Sequence, residues 1–224
     1  MKNMRKRFLT AAVIFVLGVI MAATPAAAST KKQKQIKLAK CVDFFVWSVL
    51  DEARSQAAGG DAAAYKKAVK KIYGGKLTGR VKSLIAAQNT KGYTKEAGYD
   101  FLYSVSQKKV KKTYTKLFGK KKPKIDLPAV ESPADEGSYV MDYAKAGNKV
   151  YWLTYDGHSD ATIKQGSVKK SGSKYIVTRK YKYYAHWGLK ANGSKPSVTV
   201  TAKITLKRNK ASSYGYKITG LSIK

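Results

Sequence analysis

Cysteine, carboxylates and arginine are all scarce in this sequence. Cys41 is the single thiol among 224 residues, so the chain has no internal disulfide and its core must hold it together unaided. Asp and Glu number 13 against 45 Lys and Arg, and the formal net charge is +32. Of the basic residues, 39 are lysine, a mobile and well-hydrated point charge without the rigid fork of arginine. This composition favours diffuse attraction to a polyanion over specific readout; a merely solubilising surface is the alternative.

Catalytic motifs are missing as well. The sequence contains no G-x-S-x-G, H-E-x-x-H or phosphate-cradling glycine loop. Its two histidines, His158 and His186, would have to join a distant nucleophile. Cys41 lies on the apolar stripe of a predicted helix, where thiols are usually inert packing groups. We therefore predict no enzymatic activity and no cofactor.

One spacing resembles a metal ligand set. Asp156, His158 and Asp160 form D-x-H-x-D, which puts three ligands on one face if the segment is extended. The intervening Gly157 and Ser159 favour a turn between strands, in which aspartate caps the backbone. We therefore predict a turn and no metal site.

The N-terminal segment has the pattern of a secretory signal peptide. Four basic residues precede an apolar run over residues 8–23, and an A-x-A cleavage pattern ends at Ala28. Cleavage after residue 28 would leave 196 residues with a formal charge of +28. No second run of eighteen apolar residues follows. We predict a secreted protein, extracellular or loosely associated with the cell envelope.

Residues 29–122 are predicted to form a helical region. Apolar side chains at three- and four-residue spacing indicate a first helix that ends near Ala58. The lysines at 31–40 lie near its positive N-terminus, so the first of them are expected to fray into a flexible basic arm. Asp61 and Gly74 are predicted to cap a second helix, and a short third one follows.

The last helix of this region has the clearest pattern. It is predicted over Gln107–Phe118, with Ser104 at capping-box spacing before it and Gly119 at its end. Phe101 and Leu102, just upstream, are expected core residues. The predicted buried stripe of the helix consists of Val110, Tyr114, Leu117 and Phe118.

The composition changes after this helix. Residues 123–137, which hold three prolines and four acidic residues, are predicted to be a linker. From residue 138 to 224, runs rich in Tyr, Val, Ile and Thr alternate with turn residues, the pattern of an antiparallel sheet packed on the preceding helices. Strands are predicted over Tyr139–Ala144, Lys149–Tyr155, Ala161–Lys170, Lys174–Ala185, Ser197–Arg208 and Tyr214–Ile223.

These features predict an α+β fold: an N-terminal helical region followed by a curved antiparallel meander of about six strands. Helices followed by a meander that curls over a helix resemble the NTF2-like and cystatin-like families. The closing run from Ile204 to Ile218 resembles the ends of secreted proteins of Gram-positive bacteria. In NTF2-like isomerases an acid/base group lies inside a cone-shaped pocket, and the resemblance would give that place to Asp142, beside Tyr143 and Tyr151; a surface aspartate is the alternative. Such families include both enzymes and pure binding modules.

Nine lysines lie within residues 108–124, largely opposite the apolar stripe of the last helix. A cluster this dense is costly without counterions, so we predict an anion-binding surface, with a solvated helix face as the alternative. The predicted anion-binding residues are Lys108, Lys109, Lys111, Lys112, Lys116, Lys120, Lys121 and Lys122, followed by Lys124.

A second surface is conceivable on the sheet, where aromatic residues and lysines interleave between positions 180 and 187. Such residues can stack on sugar rings or bases while screening negative charge. Ordinary strand composition is the alternative, because tyrosine favours sheets and half of these residues must face a core. The members of this aromatic surface would be Tyr181, Tyr183, Tyr184 and Trp187.

The sequence therefore predicts a non-enzymatic secreted protein that binds an anionic envelope polymer: teichoic acid, acidic glycan or an anionic lipid surface. Non-specific binding of nucleic acid would use the same chemistry. A small-ligand or enzymatic NTF2-like domain would instead show a deep pocket lined by Asp142, Tyr151, Tyr183 or His186. An interaction domain would show an exposed apolar patch near Trp152 or Trp187.

Overall fold

The computed structural model describes residues 30–57, 61–99, 101–131, 143–153, 160–184 and 192–224. These residues form an α+β protein with N-terminal helices and antiparallel sheets, as the sequence predicts at that level. The helices are α1 (30–40), α2 (Asp43–Ala57), α3 (Ala62–Tyr73), α4 (Gly79–Gln88) and α5 (Gln107–Phe118). The strands are β1 (Thr94–Lys95), β2 (Leu102–Ser106), β3 (Tyr143–Ala146), β4 (Lys149–Leu153), β5 (Asp160–Ser171), β6 (Lys174–Tyr184), β7 (Val198–Arg208) and β8 (Tyr216–Ile223). The predicted signal peptide lies outside the described residues.

The lysine-rich segment before α2 is helical, so the expected frayed arm is wrong for residues 30–40. Leu38, Ala39 and Val42 are completely buried, while the lysines of α1 remain exposed. Burial of such side chains is worth more than the few tenths of a kcal/mol by which cations disfavour a helix N-terminus. Packing therefore decides the conformation of α1.

Helix α3 has the predicted caps. The side chain of Asp61 accepts hydrogen bonds from the backbone of Ala63 and Ala64, each at 2.9 Å. Gly74 ends the helix in the left-handed region, with φ of 65°. These contacts satisfy backbone groups that a helix end leaves without intrahelical partners.

Helix α5 buries its predicted stripe of Val110, Tyr114, Leu117 and Phe118. Gly119 ends it with φ of 75°, and a Cβ there would come within 2.8 Å of the Lys217 Cδ. The predicted capping box is wrong, because Ser104 belongs to β2 and donates its hydroxyl to Glu96. The N-cap residue is Ser106, whose side chain makes no capping bond.

The sequence predicts only two strands of the first sheet, β3 and β4, and misses β1 and β2. Its strand order is β1-β2-β4-β3: two strands, β1 and β2, lie in the predicted helical region, and β2 pairs with β4 beyond the predicted linker. Leu102 lies opposite Leu153 and is buried as expected, whereas Phe101 is 58% exposed, so its expected burial is wrong. Pairing partners about fifty residues apart leave no local periodicity to detect.

The second sheet is a meander in the order β5-β6-β7-β8, and its strand positions agree with the last four predicted strands. The strands predicted as one sheet of about six are thus divided between two four-stranded sheets. Buried side chains of α2, α3 and α5 form one core with the inner faces of these strands. No helix in the described ranges is long and apolar enough to cross a membrane.

The described part of the predicted linker, residues 123–131, packs against the protein. Ile125, Leu127 and Val130 are buried. The backbone of Lys145 donates to Pro128 at 2.8 Å and accepts from Val130 at 3.0 Å. This stretch is therefore joined to β3, while residues 132–137 lie outside the described residues.

Candidate anion-binding surfaces

Helix α5 displays lysines around its exposed side. All eight predicted anion-binding lysines, and Lys124, are exposed. Lys108, Lys112 and Lys116 follow one another at four-residue spacing, which brings like charges close together along one line of the helix. The first turn contains lysines and no acidic residue, against the preference of the helix dipole. We call the eight predicted anion-binding lysines the α5 lysine patch; five of them lie on α5, and Lys120, Lys121 and Lys122 follow its end.

The surroundings of the patch supply aromatic and backbone contacts but no carboxylate. The ammonium of Lys116 lies 4.9 Å from the ring centre of Tyr214, a cation–π geometry. A Cβ at Gly92 would lie 3.1 Å from the Lys109 Nζ, so this ammonium sits over the backbone there. No lysine of the patch forms an ion pair with a carboxylate of the described residues.

The predicted aromatic surface is wrong for the three residues that the structure describes. Tyr181 and Tyr183 have no exposed area, and Tyr184 is 7% exposed. Tyr181 and Tyr183 lie on the face of β6 that α2 covers, where their hydroxyls bond to carboxylates of that helix. The fourth member, Trp187, lies outside the described residues.

The inner face of β6 also carries a buried ion pair. Arg179, 3% exposed, donates from Nε and Nη2 to the two carboxylate oxygens of Asp43, each at 2.5 Å. Its Nη1 donates to Gln165 at 2.7 Å, and the hydroxyl of Tyr181 donates to Asp43 at 2.6 Å. Burial, with the Asp43 carboxylate beside it, raises the pKa of Tyr181 far above its ordinary value. This network is neutralised from within and has the geometry of a structural clamp between α2 and the sheet.

The described residues of the expected ligand pocket do not meet. Tyr183 donates to Asp51 at 2.8 Å and lies 6.2 Å from the ring of Tyr65, so side chains fill the space over this strand. Tyr151 belongs to the other sheet, where it packs with Leu102 and Leu153. Asp142 and His186 lie outside the described residues.

The outer face of the second sheet is a basic surface that the sequence predictions missed. In the register of the sheet, Lys164 lies directly opposite Lys180, and Lys174 lies directly opposite Lys207. Neighbouring strands are about 4.8 Å apart, so these like charges repel and disfavour the pairing. Threonines fill the positions between them. The lysines of this outer-face array are Lys164, Lys169, Lys174, Lys180, Lys182, Lys203 and Lys207.

A plain compositional signal marks this second surface. The sequence contains neither Asp nor Glu after Asp160, so β6, β7 and β8 hold no acidic residue of their own. The single buried cation of these strands, Arg179, takes its carboxylate from α2. None of the array's lysines has a described carboxylate partner.

The remaining candidate residues have no described reactive arrangement. Asp156 and His158 lie outside the described residues, as does the side chain of Asp160. Within the described ranges, no three His, Cys, Asp or Glu side chains are grouped to hold a metal ion. Burial raises the pKa of the Cys41 thiol, and its contact with the Tyr214 hydroxyl at 3.8 Å partly opposes that rise. The raised pKa keeps the sulfur protonated and poorly nucleophilic.

Of the two tryptophans that would mark a protein-binding patch, the structure describes Trp152 only. Trp152 is half-buried and stacks on Tyr143 at 6.1 Å, with Tyr93 and Tyr103 at 5.8 and 5.7 Å. These rings pack on one another, and Trp152, Tyr93 and Tyr103 each stay partly exposed. Trp187 is not among the described residues.

Comparisons of the chain with protein-family models, with curated proteins and with solved structures give no match.

Proposed function

We propose that this protein is a non-enzymatic binder of anionic cell-envelope polymers, acting after secretion. The observation that carries the proposal is the absence of described carboxylate partners for two sets of lysines, the α5 lysine patch and the outer-face array. All of these lysines are exposed except the half-buried Lys182. Each set is arranged so that its own charges repel. An external polyanion would lower that repulsion on both surfaces.

The proposed mechanism is multivalent electrostatic contact. Lysines displace the small cations condensed on the polymer, and the released ions drive binding. The logarithm of the affinity then falls linearly with the logarithm of salt concentration, with a slope of about −0.9 per neutralised phosphate for duplex DNA. Because lysine lacks the bidentate fork of arginine, the surfaces favour charge density over one defined chemical group.

Teichoic acid, acidic glycan and anionic lipid surfaces are the proposed partners. Nucleic acid has the same charge but would gain from exposed aromatic rings that stack on its bases. Tyr181, Tyr183 and Tyr184, the described candidates for that stacking, are buried. This difference favours an envelope polymer.

Membership of an NTF2-like or cystatin-like family stays part of the proposal. Its support is the four-stranded meander whose inner face is covered by the preceding helices. A pocket function in such a fold would need open space over β6, where Tyr183 instead contacts α2 and α3. The binding function proposed above uses the outer surfaces and needs no pocket.

Retention on an immobilised anionic polymer tests the α5 lysine patch. We expect K108Q/K109Q/K111Q/K112Q to elute at a clearly lower salt concentration than the wild type. A matched control, K66Q/K67Q/K70Q/K71Q, removes the same charge from exposed positions of α3 and should shift elution less. Equal shifts in both variants would contradict a dedicated patch.

Secretion is tested separately by the mass of the protein recovered outside the producing cells. The proposal predicts a chain that begins at Ser29. It also predicts that a high-salt wash releases more protein from the envelope than a low-salt wash. A full-length chain confined to the cell interior would contradict the proposed location.

A further inference from the structure

Three lysines from distant parts of the chain line one groove beside α5. Lys111 comes from α5, Lys124 from the segment after it and Lys145 from β3. The groove has a volume of about 310 Å³, and Gln107 adds an amide at one end. The rest of its lining is uncharged and includes Ile125, Ala129 and Val130.

Backbone contacts build the groove walls. The amide of Gln107 donates to the carbonyl of Gly147 at 2.7 Å, and its backbone N–H donates to Asn148 at 2.7 Å. These bonds fix the start of α5 on the turn between β3 and β4. On the opposite side, the Ala129–Lys145 bridge holds the extended segment along β3. The walls of the groove are thus held by the protein's own backbone.

No carboxylate is among the described residues that line the groove. The half-buried Lys145 donates from Nζ to the carbonyl of Ile125 at 3.2 Å, a neutral partner. The nearest carboxylates in sequence, Asp126 and Glu131, do not line the groove. A Cβ at Gly79 would lie 3.1 Å from a carboxylate oxygen of Asp126, so that acid faces the N-terminus of α4 instead.

We propose that this groove binds a phosphate group, either inorganic phosphate or the phosphodiester of a polymer. The inference rests on the proposed function and names the repeating group that the polymer would present. Three lysines from three elements line the groove, and lysine serves phosphate as a point charge. A planar carboxylate is best matched by the bidentate fork of arginine, and the described lining of the groove contains no arginine. The apolar lining would contact the carbon linker of the polymer.

The test is a titration of the isotope-labelled protein with inorganic phosphate, followed by NMR at constant ionic strength. We expect saturable shifts of the Lys145 and Gly147 backbone amides, and weaker ones with acetate. K124Q, at an exposed position, should weaken phosphate binding at least fivefold, and K145Q at least tenfold. K66Q, which removes an exposed lysine from α3, should leave it unchanged.

In a second arm the protein is titrated with poly(glycerol phosphate). If the polymer is the source of the bound phosphate, it should shift the same amides at a lower concentration of phosphate groups than inorganic phosphate does. Linear, non-saturating shifts, or equal affinities of K124Q and K66Q, would overturn the inference. If the protein then still binds polyanions in a salt-dependent way, the groove proposal alone is wrong. Loss of both would reject the proposed function as well.

Discussion

The two faces of the second sheet handle positive charge in opposite ways. On the inner face, one arginine is buried and fully engaged: Arg179 meets both oxygens of Asp43, while Gln165 accepts a further bond. On the outer face, lysines face lysines across the strands, as Lys164 and Lys180 do. The scarce carboxylates of α2 thus bind groups of the inner face, and the lysines of the outer face have no described carboxylate partner.

The comparison also explains why the buried position of β6 carries arginine and the outer face carries lysine. A buried cation needs a planar donor set that satisfies a carboxylate with two parallel bonds. An exposed array needs mobility and hydration, which lysine supplies. The predictions below separate the two roles, beginning with the largest effect.

Breaking the inner clamp should cost the most stability. D43A leaves the Arg179 guanidinium buried without its partner, and we expect a loss of about 3–5 kcal/mol in the free energy of unfolding. Chemical denaturation measures the change. The control E52A alters an exposed carboxylate of the same helix and should cost no more than about 0.5 kcal/mol. A loss below about 1 kcal/mol for D43A would show that the clamp is not structural.

A second inner contact predicts a dependence on alkaline pH. The Tyr73 hydroxyl donates to the Leu221 carbonyl at 2.5 Å, and burial raises the pKa of Tyr73 to about 12. Its pKa in the unfolded chain is about 10, so the folded state favours the neutral phenol. The corresponding stability is complete below pH 10 and is lost as the pH rises toward 12.

Y73F should therefore lose about 1 kcal/mol at neutral pH, the net contribution of one hydrogen bond. Its stability should decline less between pH 10 and pH 12 than that of the wild type. Denaturation curves over this range provide the measurement. Parallel declines of the two proteins would contradict the assignment of this contact.

The outer face predicts the opposite relation between stability and binding. K180E places a carboxylate directly opposite Lys164, and we expect about 0.5 kcal/mol of added stability at low salt, the order of one cross-strand charge pair. The same change should weaken retention on an anionic polymer. Unfolding and retention, each compared with K66E, measure the two effects. A variant that loses stability or keeps its retention would contradict an array shaped by an external anion.

A surface ion pair should give the smallest effect. Glu96 accepts from Lys149 at 2.8 Å, and its hydrogen bonds to Lys149 and Ser104 lower the pKa of its carboxyl group. This contribution is present above the pKa of the unfolded chain and is lost as the pH falls through the folded pKa. E96Q should therefore be slightly less stable than the wild type at neutral pH, with the difference vanishing in acid. A difference in stability that persists in acid would mean that the contact of residue 96 with Ser104, and not its charge, is responsible for it.

Local patterns in the sequence predict local structure well. The stripe of α5, its stop at Gly119 and the caps of α3 are confirmed because each depends on residues within a few positions of one another. The same holds for the alternation of β7, which places Val200, Ala202 and Ile204 in the core. Periodicity and capping chemistry suffice for such elements.

Long-range pairing explains what the sequence could not show. Ser104 has the right spacing for a capping box, yet its strand pairs with β4, and this tertiary contact decides its conformation. Tyr181 and Tyr183 of β6 face α2, where their hydroxyls bond to Asp43 and Asp51. These carboxylates lie more than a hundred residues earlier in the chain. The outer-face array, by contrast, was detectable from the absence of acidic residues after Asp160.

The salt dependence of polymer binding tests the central claim most directly. The purified protein is titrated with polyphosphate over a series of salt concentrations. Uncompensated lysines predict that the logarithm of the affinity falls linearly with the logarithm of salt concentration, with a slope of several units, and that D43A, where it folds, keeps that slope. No measurable binding, or an affinity independent of salt, would contradict the account.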